Sequence, residues 1–227
     1  MTQYSVPIAN RIARSVLRPL FRLVFHILSD VKIIGRENVP KSGSYLITIN
    51  HVSLFEPPFI LAFWPTPPEG AGAIEIWDRP GQGMLVRLYH GIPVHRGEFD
   101  RQLLETMIAV LKSGRPLLLA PEGGRTHEVG MRRALPGVAY IIDKTHVPVI
   151  PVGIIGTTDD FLTRALHLKR PLLEMTIGKP LNLPLVEGKG AARREALQAN
   201  ADQIMHAIAN LMPPDYRGVY QSSGESI

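Results

Sequence analysis

The sequence predicts an α/β protein: a single domain with a mixed, largely parallel sheet flanked by helices, preceded by an N-terminal amphipathic helical arm. Three observations support this prediction. Short apolar, β-branched runs alternate along the chain with segments of helical periodicity. Polar, glycine-rich residues follow several of the apolar runs, as is common where a parallel sheet holds its ligands. The 227 residues match one domain of ordinary size, and we find no internal repeat or linker.

The arm, residues 1–34, contains a segment of helical spacing over residues 6–28. At about 100° per residue, four arginines fall within about 80° of one another, and apolar residues occupy the opposite side. These arginines are Arg11, Arg14, Arg18 and Arg22. Pro19 is expected to kink the helix. The arginines argue against a spanning helix and a cleavable signal peptide. We expect an interfacial helix with arginines at the lipid headgroups and apolar side chains below; the alternative is a helix docked on the protein's own core.

The positive charge of the chain is concentrated near its N-terminus. The chain has 25 Lys and Arg against 20 Asp and Glu, and residues 1–41 hold seven of these bases and two of the acids. Such a segment attracts a polyanion, and we expect an anionic membrane surface. Nucleic acid is not expected as a partner, because the arm lacks interleaved polar base-reading residues. The chain is therefore predicted to be a peripheral or monotopic membrane protein on the cytoplasmic face.

The body, residues 35–220, alternates predicted strands and helices. Strands are expected at residues 45–49, 73–77, 116–120, 147–155 and 173–177, with a brief apolar segment at 92–94. Helices are expected at residues 59–64, 83–89, 98–112, 137–145 and 191–211. The two prolines in the fourth strand suggest a bent or edge strand. Residues 221–227 are predicted to be a disordered tail.

Several chemistries are excluded by composition and motifs. Cysteine is absent, which removes disulfide scaffolds, thiolate metal sites and cysteine nucleophiles. His90, His127 and His146 lack metal-like spacing, so no metal site is expected. There is no Gly-x-Ser-x-Gly elbow, Walker motif or Rossmann glycine fingerprint.

Two segments that follow predicted strands carry candidate chemistry. In the first, His51 lies just past a strand end and Glu56 follows five residues later. A carboxylate can fix the histidine tautomer and stabilise the imidazolium, which leaves the other ring nitrogen free to take a proton from a hydroxyl. In the second, Pro121-Glu122-Gly123-Gly124-Arg125-Thr126, glycines let backbone N–H groups approach a ligand and Arg125 can bind a phosphate. Each segment taken alone is also compatible with an ordinary turn.

Two further segments are weaker signals by themselves. Residues 91–97 form a glycine-bounded segment that presents His95 and Arg96, and Arg96 suits an anionic substrate. Residues 147–153, Val-Pro-Val-Ile-Pro-Val-Gly, form the apolar strand with two prolines.

Taken in order, the four segments resemble the glycerolipid acyltransferase family, whose best-known members make phosphatidic acid from lysophosphatidic acid. That family is marked by Asn-His with Asp at the fifth position after the His, and by a Gly-x-x-x-x-Arg segment. A Pro-Glu-Gly-Thr-Arg-Ser motif and a Val-Pro-Val-x-Pro-Val strand complete its pattern. Order and spacing match from Gly35 to Pro180.

The resemblance implies a function and a site. His51 would be the general base that deprotonates the acceptor's glycerol hydroxyl, with Glu56 as its acid partner and no covalent acyl-enzyme. The substrate-binding residues would be Arg96, Glu122, Gly123, Arg125 and Thr126, and the strand at 147–153 would help to shape a substrate pocket. No cofactor is implied. The donor would be acyl-CoA or acyl carrier protein, which makes the carrier protein a candidate partner.

The sequence departs from the family pattern at three positions. Glu56 stands where Asp is usual, Gly124 replaces Thr and Ala120 replaces an aromatic residue, whereas Thr126 keeps the hydroxyl of the usual Ser. These departures leave two alternatives to lysophosphatidic acid acylation. One is the same chemistry on another lysolipid or a lyso-amino-lipid, and the other is a catalytically weak lipid-binding protein.

Overall fold

The computed structural model describes residues 4–95 and 100–221. The helices within those ranges are α1 (Ile8–Leu28), α2 (Glu56–Phe63), α3 (Gln82–Tyr89), α4 (Arg101–Lys112), α5 (Gly137–Thr145), α6 (Phe161–Leu166) and α7 (Gly190–Ala209). The strands are β1 (Asp30–Ile34), β2 (Leu46–Ile49), β3 (Glu69–Ala73), β4 (Ile92–Val94), β5 (Leu117–Leu119), β6 (Val149–Ile155) and β7 (Leu172–Ile177).

All seven strands form one sheet in the order β1-β7-β6-β2-β5-β3-β4. Neighbouring strands are parallel except β6 and β7, which are antiparallel. The central strands are apolar on both faces because helices cover both: β2 is fully buried and β6 nearly so. The predicted α/β class with a mixed, largely parallel sheet is confirmed.

Successive residues of the central strands point into two different cores. Leu46 and Val149 face the side covered by α4, α5 and α7, where they join Val110, Ile141 and Ile204. The alternate residues of the same strands face the side covered by α1, α2 and α6. Members of this second core include Ile47, Ile150, Phe25, Phe59 and Phe161.

The predicted elements differ from the structure in four places. Residues 30–34, assigned to the arm, form β1 and pair in parallel with β7, so this part of the arm belongs to the sheet. The strand expected at residues 73–77 is wrong: β3 occupies Glu69–Ala73, and Ile74–Asp78 form a 3-10 helix. The short helix α6 was not anticipated. The strand at 147–155 is central rather than at an edge, and Pro151 lies between the bridge from Val149 to Leu181 and the residues that pair with β7.

The arm is helical, but three of its four arginines, Arg14, Arg18 and Arg22, contact the body, whereas Arg11 is exposed. Arg18 donates from Nε to Leu61 O at 2.8 Å and from Nη2 to Trp64 O. Arg22 donates from Nε to Ala62 O at 2.6 Å. The accepting carbonyls lie at the C-terminal end of α2, where helical carbonyls lack partners and the helix dipole favours cations. The prediction that these arginines lie at lipid headgroups is therefore wrong.

Arg14 enters a buried ion cluster that ties α1 to the sheet. Its guanidinium forms two hydrogen bonds to Glu69, at 2.8 and 2.6 Å, and its Nε donates to Tyr89 O at 2.8 Å. Arg115 Nε and the Tyr4 hydroxyl donate to the same carboxylate at 2.6 and 2.8 Å. Arg14 and Glu69 are 2% and 0% exposed, so this ion pair is excluded from water.

The face of α1 that points away from the body carries an apolar stripe. Its residues are between 39% and 73% exposed: Ile8, Ile12, Val16, Leu20, Leu23, Val24 and Ile27. The helix runs on through Pro19 as a single element. Within the two described ranges, no helix combines the length and the hydrophobicity that a bilayer-spanning segment needs.

Candidate active site

The predicted site residues that the structure describes gather at one edge of the sheet. Strands β6, β2 and β5 are adjacent and parallel, so their carboxyl ends meet there. His51 follows β2, the segment 121–126 follows β5, and Thr157 follows β6. Asn50 fastens the β2 end to β6: its side chain donates to Ile154 O and accepts from Ile154 N, both at 2.8 Å.

His51 and Glu56 form a hydrogen-bonded pair. The distance from His51 Nδ1 to Glu56 Oε2 is 3.0 Å, and the two side chains are 12% and 0% exposed. Glu56 is the first residue of α2, and Pro57 and Pro58 follow in the first turn, where proline suits the helix. Because the carboxylate accepts the bond, Nδ1 carries the proton in the neutral ring and Nε2 is left as a proton acceptor.

Three neutral donors, besides His51, hold the Glu56 carboxylate. Ser53 N lies 3.0 Å from both carboxylate oxygens, and Ser53 Oγ lies 3.4 Å from Oε1. Thr157 Oγ1 donates to Oε1 at 2.5 Å across 101 residues of sequence. The carboxylate is therefore fixed from two sides while its only titratable partner among these contacts is His51.

The buried carboxylate of Glu122 supports the backbone of the His51 loop. Its Oε1 accepts from His51 N and its Oε2 from Arg132 N, both at 2.9 Å. Burial raises the pKa of Glu122, and the two backbone donors oppose that rise. Both carboxylate oxygens thus contact backbone amides in this structure, which places Glu122 as a support for the His51 loop rather than beside the Arg125 guanidinium.

The glycine-rich segment lies alongside the His51 loop. Thr126 N donates to His51 O at 2.9 Å, and His127 N donates to Val52 O at 3.1 Å. Gly123 has a φ of +70°, a left-handed conformation that favours glycine, and a Cβ there would have to displace the exposed side chain of Leu135. The segment is therefore held within hydrogen-bonding distance of the histidine backbone.

Arg125 is the basic side chain that the structure places in this segment. Its side chain is 17% exposed, and its Nη1 lies 4.0 Å from Asp159 Oδ1. Asp159 Oδ2 also lies 3.4 Å from His127 Nδ1. A guanidinium whose nearest carboxylate is 4.0 Å away is suited to bind an anion such as a phosphate. Arg96, the other predicted phosphate ligand, lies outside the described residues.

Sequence reasoning did not identify Asn50, Ser53, Thr157 or Asp159 as contributors to the site. Asn50 and Ser53 lie within the same segment as His51, so their position was a usable signal. Thr157 and Asp159 are separated from His51 by more than a hundred residues, and only the parallel pairing of β2 with β6 brings them close. Within the described residues, no group of His, Asp or Glu side chains is arranged to hold a metal ion.

The fold and this edge define an α/β protein with a hydrogen-bonded histidine–carboxylate pair at the carboxyl ends of its central strands. The family model described as "Acyltransferase" matches residues 30–155, which is more than half of the chain. The chain belongs to the acyltransferase family.

Curated relatives and a solved structure are consistent with this membership. A 1-acyl-sn-glycerol-3-phosphate acyltransferase of Bacillus subtilis is 23% identical over 198 residues, covering 84% of this chain and 96% of that protein. A protein of the same name from Limnanthes douglasii is 25% identical over 130 residues, which cover 56% of this chain. Those residues are 46% of the plant protein, so this chain spans about half its length. The crystal structure of the 1-acyl-sn-glycerophosphate (LPA) acyltransferase from Thermotoga maritima has the same fold, with a TM-score of 0.62 at 24% identity over 86% of this chain and 79% of that one.

Proposed function

We propose that this protein transfers a fatty acyl group from a thioester donor to the free glycerol hydroxyl of lysophosphatidic acid, giving phosphatidic acid. The observation that carries the proposal is the 3.0 Å contact between His51 Nδ1 and the fully buried Glu56 carboxylate. The acceptor is suggested by the names of the relatives from Bacillus subtilis and Limnanthes douglasii. The protein would thus act in phospholipid biosynthesis.

In the proposed reaction, His51 acts as general base and then as general acid. Nε2 takes the proton of the acceptor hydroxyl while the hydroxyl oxygen attacks the thioester carbonyl carbon. The resulting tetrahedral intermediate collapses with cleavage of the carbon–sulfur bond, and the imidazolium returns its proton to the departing thiolate. Glu56 keeps Nδ1 protonated and stabilises the imidazolium, as a buried carboxylate does for histidine in hydrolytic triads. The products are the new ester and a free thiol.

The glycerol phosphate would lie against the segment that follows β5. Arg125 would bind the phosphate, together with Arg96, the Thr126 hydroxyl and the backbone around Gly123. Glu122 would contribute by holding the amide of His51 in place, through its 2.9 Å hydrogen bond. We propose no cofactor, since the proton-transfer groups all belong to the chain. The co-substrate would be acyl-CoA or acyl carrier protein.

The exposed face of α1 would attach the protein to the membrane as a peripheral or monotopic protein, on the cytoplasmic face expected from the sequence. A stripe of seven exposed aliphatic side chains is larger than scattered surface leucines and suits burial in the acyl region of a lipid layer. This orientation preserves the predicted membrane contact but assigns it to the apolar side chains. The arginines of the helix are used instead to hold it against the body.

The test is acyl transfer in detergent micelles with a radiolabelled acyl-CoA, a panel of lysolipid acceptors, and His51→Ala as the reference variant. Phosphatidic acid that forms with the parent and not with the variant is the expected result. Turnover on a different lysolipid would instead support the alternative acceptor. If no acceptor is acylated from acyl-CoA or acyl carrier protein while lipid is still bound, the chain is a lipid-binding protein and the proposal is wrong.

A further inference from the structure

We propose that residues 161–172, which comprise α6, its connection to β7 and the first residue of β7, form a second lipid-contacting surface that binds anionic membrane. We call these residues the α6 segment. The inference rests on the proposed attachment of the protein to a membrane, and it adds a surface on the catalytic body to the one on α1.

Four leucines of the α6 segment are exposed. Leu162 and Leu172 are 42% and 44% exposed, and Leu166 and Leu168 are 67% and 87% exposed. Among the large apolar side chains of the described residues, Leu168 is the most exposed. Its φ is +58°, a left-handed conformation that is unfavourable for a leucine. The chain therefore holds Leu168 outward at a cost, which burial of the side chain in lipid would offset.

The charges of the α6 segment complement an anionic lipid surface. Arg164, Lys169 and Arg170 lie among the leucines, and residues 161–173 contain no Asp or Glu. His167 is exposed between them. Basic and apolar side chains that alternate on an exposed segment match a headgroup layer with hydrocarbon beneath it. This combination is the reason for assigning lipid, rather than a protein partner, to the surface.

The α6 segment is joined to the end of the α1 stripe. Arg170 Nη2 donates to His26 O at 3.1 Å and to Ser29 O at 3.3 Å, at the C-terminal end of α1. The rings of Phe25 and Phe161 pack beneath, with centroids 6.3 Å apart. The α1 stripe ends nearby at Ile27, which is 63% exposed. The two apolar surfaces are thus neighbours, fixed to each other by hydrogen bonds and packing.

The α6 segment also follows directly from the site. The chain that leaves β6 passes Thr157, which binds Glu56, and Asp159, which contacts Arg125 and His127, before α6 begins. Contact between α6 and lipid would therefore hold the mouth of the site close to the membrane surface, where a lysolipid acceptor resides.

The test is co-sedimentation of the full chain with vesicles of phosphatidylcholine, with and without phosphatidylglycerol. The apolar variant is Leu166→Gln with Leu168→Gln, and its control is Leu185→Gln, an exposed leucine elsewhere on the body. The charge variant is Arg164→Glu with Lys169→Glu, and its control is Arg194→Glu. All these side chains are exposed, so circular dichroism and melting are expected to match the parent.

We expect the apolar variant to lower the partition coefficient about tenfold on both vesicle types. The charge variant should lower it about tenfold on vesicles with phosphatidylglycerol and leave binding to phosphatidylcholine unchanged. Both controls should bind like the parent. Parental binding by both α6 variants would overturn the inference.

A variant of the α1 stripe, Ile12→Gln with Val16→Gln, separates this inference from the proposed membrane attachment. If it loses binding while both α6 variants keep it, the attachment through α1 stands and the α6 inference is wrong. If the parent binds neither vesicle, both are wrong.

Discussion

Glu56 and Glu69 are both fully buried, yet they have different partners. Glu56 is held by Ser53 and Thr157, which are neutral, and by His51, which can gain or lose a proton. Glu69 is held by two arginines, which stay charged, and by a tyrosine hydroxyl. The first arrangement can store and return a proton, whereas the second can only maintain an ion pair.

The surroundings of Glu69 show what a purely structural carboxylate requires. Burial alone would raise its pKa, but hydrogen bonds and charges from Arg14 and Arg115 outweigh burial, so the pKa of Glu69 is lowered. Burial raises the pKa of Tyr89 to about 12, although the neighbouring Arg14 and Arg115 oppose that rise. These groups keep one protonation state, and their role is to fix α1 on the sheet. Of these two buried carboxylates, only the one whose partner can titrate lies at the candidate site.

The largest effect is expected from His51→Ala. Loss of the proposed general base should lower kcat by about 10³-fold, since positioned acid–base groups contribute about 10² to 10⁴. The measurement is steady-state acyl transfer at saturating donor. The matched control is His206→Ala, an exposed ring on α7, which should keep parental kcat. A His51→Ala enzyme within tenfold of the parent would contradict the assignment.

Glu69→Gln should act on stability instead. Removing one charge of a buried pair leaves its partners unpaired and costs about 3–5 kcal/mol of unfolding free energy. The measurement is urea unfolding, followed by kcat corrected for the folded fraction, which should stay near the parental value. Where this variant fails to fold, Arg115→Met gives a milder test, because the Arg115 side chain is 32% exposed. A stability equal to that of the parent would show that the cluster is dispensable.

The stability of the protein should depend on acid through Glu69. Because its folded pKa lies below the unfolded value of 4.5, its contribution is complete above that pH and is lost as pH falls through the folded pKa. The pKa of Glu122 in the folded protein is raised above its unfolded value. Its contribution to stability is therefore present at low pH and is lost as pH rises through the folded pKa. Urea unfolding between neutral pH and pH 3 should therefore show a smaller acid loss in Glu69→Gln than in the parent.

Thr157→Val should reduce kcat about tenfold, roughly the worth of one hydrogen bond to a charged group. Valine keeps the shape of threonine but cannot donate to Glu56, so the carboxylate loses one of its fixed positions. The KM for lysophosphatidic acid should not change, because Thr157 contacts the Glu56 carboxylate and not residues 121–126, the segment proposed to bind the glycerol phosphate. Thr157→Ser should restore most of kcat; failure of serine to do so would point to packing rather than to the hydrogen bond.

The smallest effects are expected from Arg18→Met and Arg22→Met. Each removes hydrogen bonds to carbonyls at the end of α2 and should lower the unfolding free energy by about 1 kcal/mol. Thermal unfolding measures the change. Arg11→Met, on an exposed position of the same helix, is the control and should leave the melting temperature unchanged.

The fold was predictable where burial alone determines structure. The runs that became β2, β5 and β6 are apolar because both of their faces are covered, and apolar runs are visible in a sequence. Glu69–Ala73, Glu-Gly-Ala-Gly-Ala, has little intrinsic preference for a strand and becomes one through pairing with β5 and β4. The orientation of α1 could not be inferred, because an amphipathic pattern shows two faces but not which one finds partners. Its partners are carbonyls at the end of α2, about 40 residues away.

The candidate site likewise has a part that local sequence predicts and a part that depends on tertiary packing. His51 and Glu56 are five residues apart, and a strand end followed by a helix start places them together, so local sequence was sufficient. Glu122 was placed at the site, but its two backbone hydrogen bonds depend on how the loops after β2 and β5 pack. Thr157 reaches Glu56 only because β6 lies beside β2. The sequence could not predict the role of a residue such as Thr157, which depends on which strands are neighbours in the folded sheet.

The most direct test of the difference between the two buried carboxylates is the rate of phosphatidic acid formation by Glu56→Gln beside Glu69→Gln. Both variants replace a buried carboxylate by an amide of the same size, and both rates are corrected for the folded fraction. We predict that Glu56→Gln is slower than Glu69→Gln by about 10²-fold or more, because in the proposed mechanism only Glu56 supports a residue that exchanges a proton with substrate. Equal rates for the two folded variants would contradict that assignment.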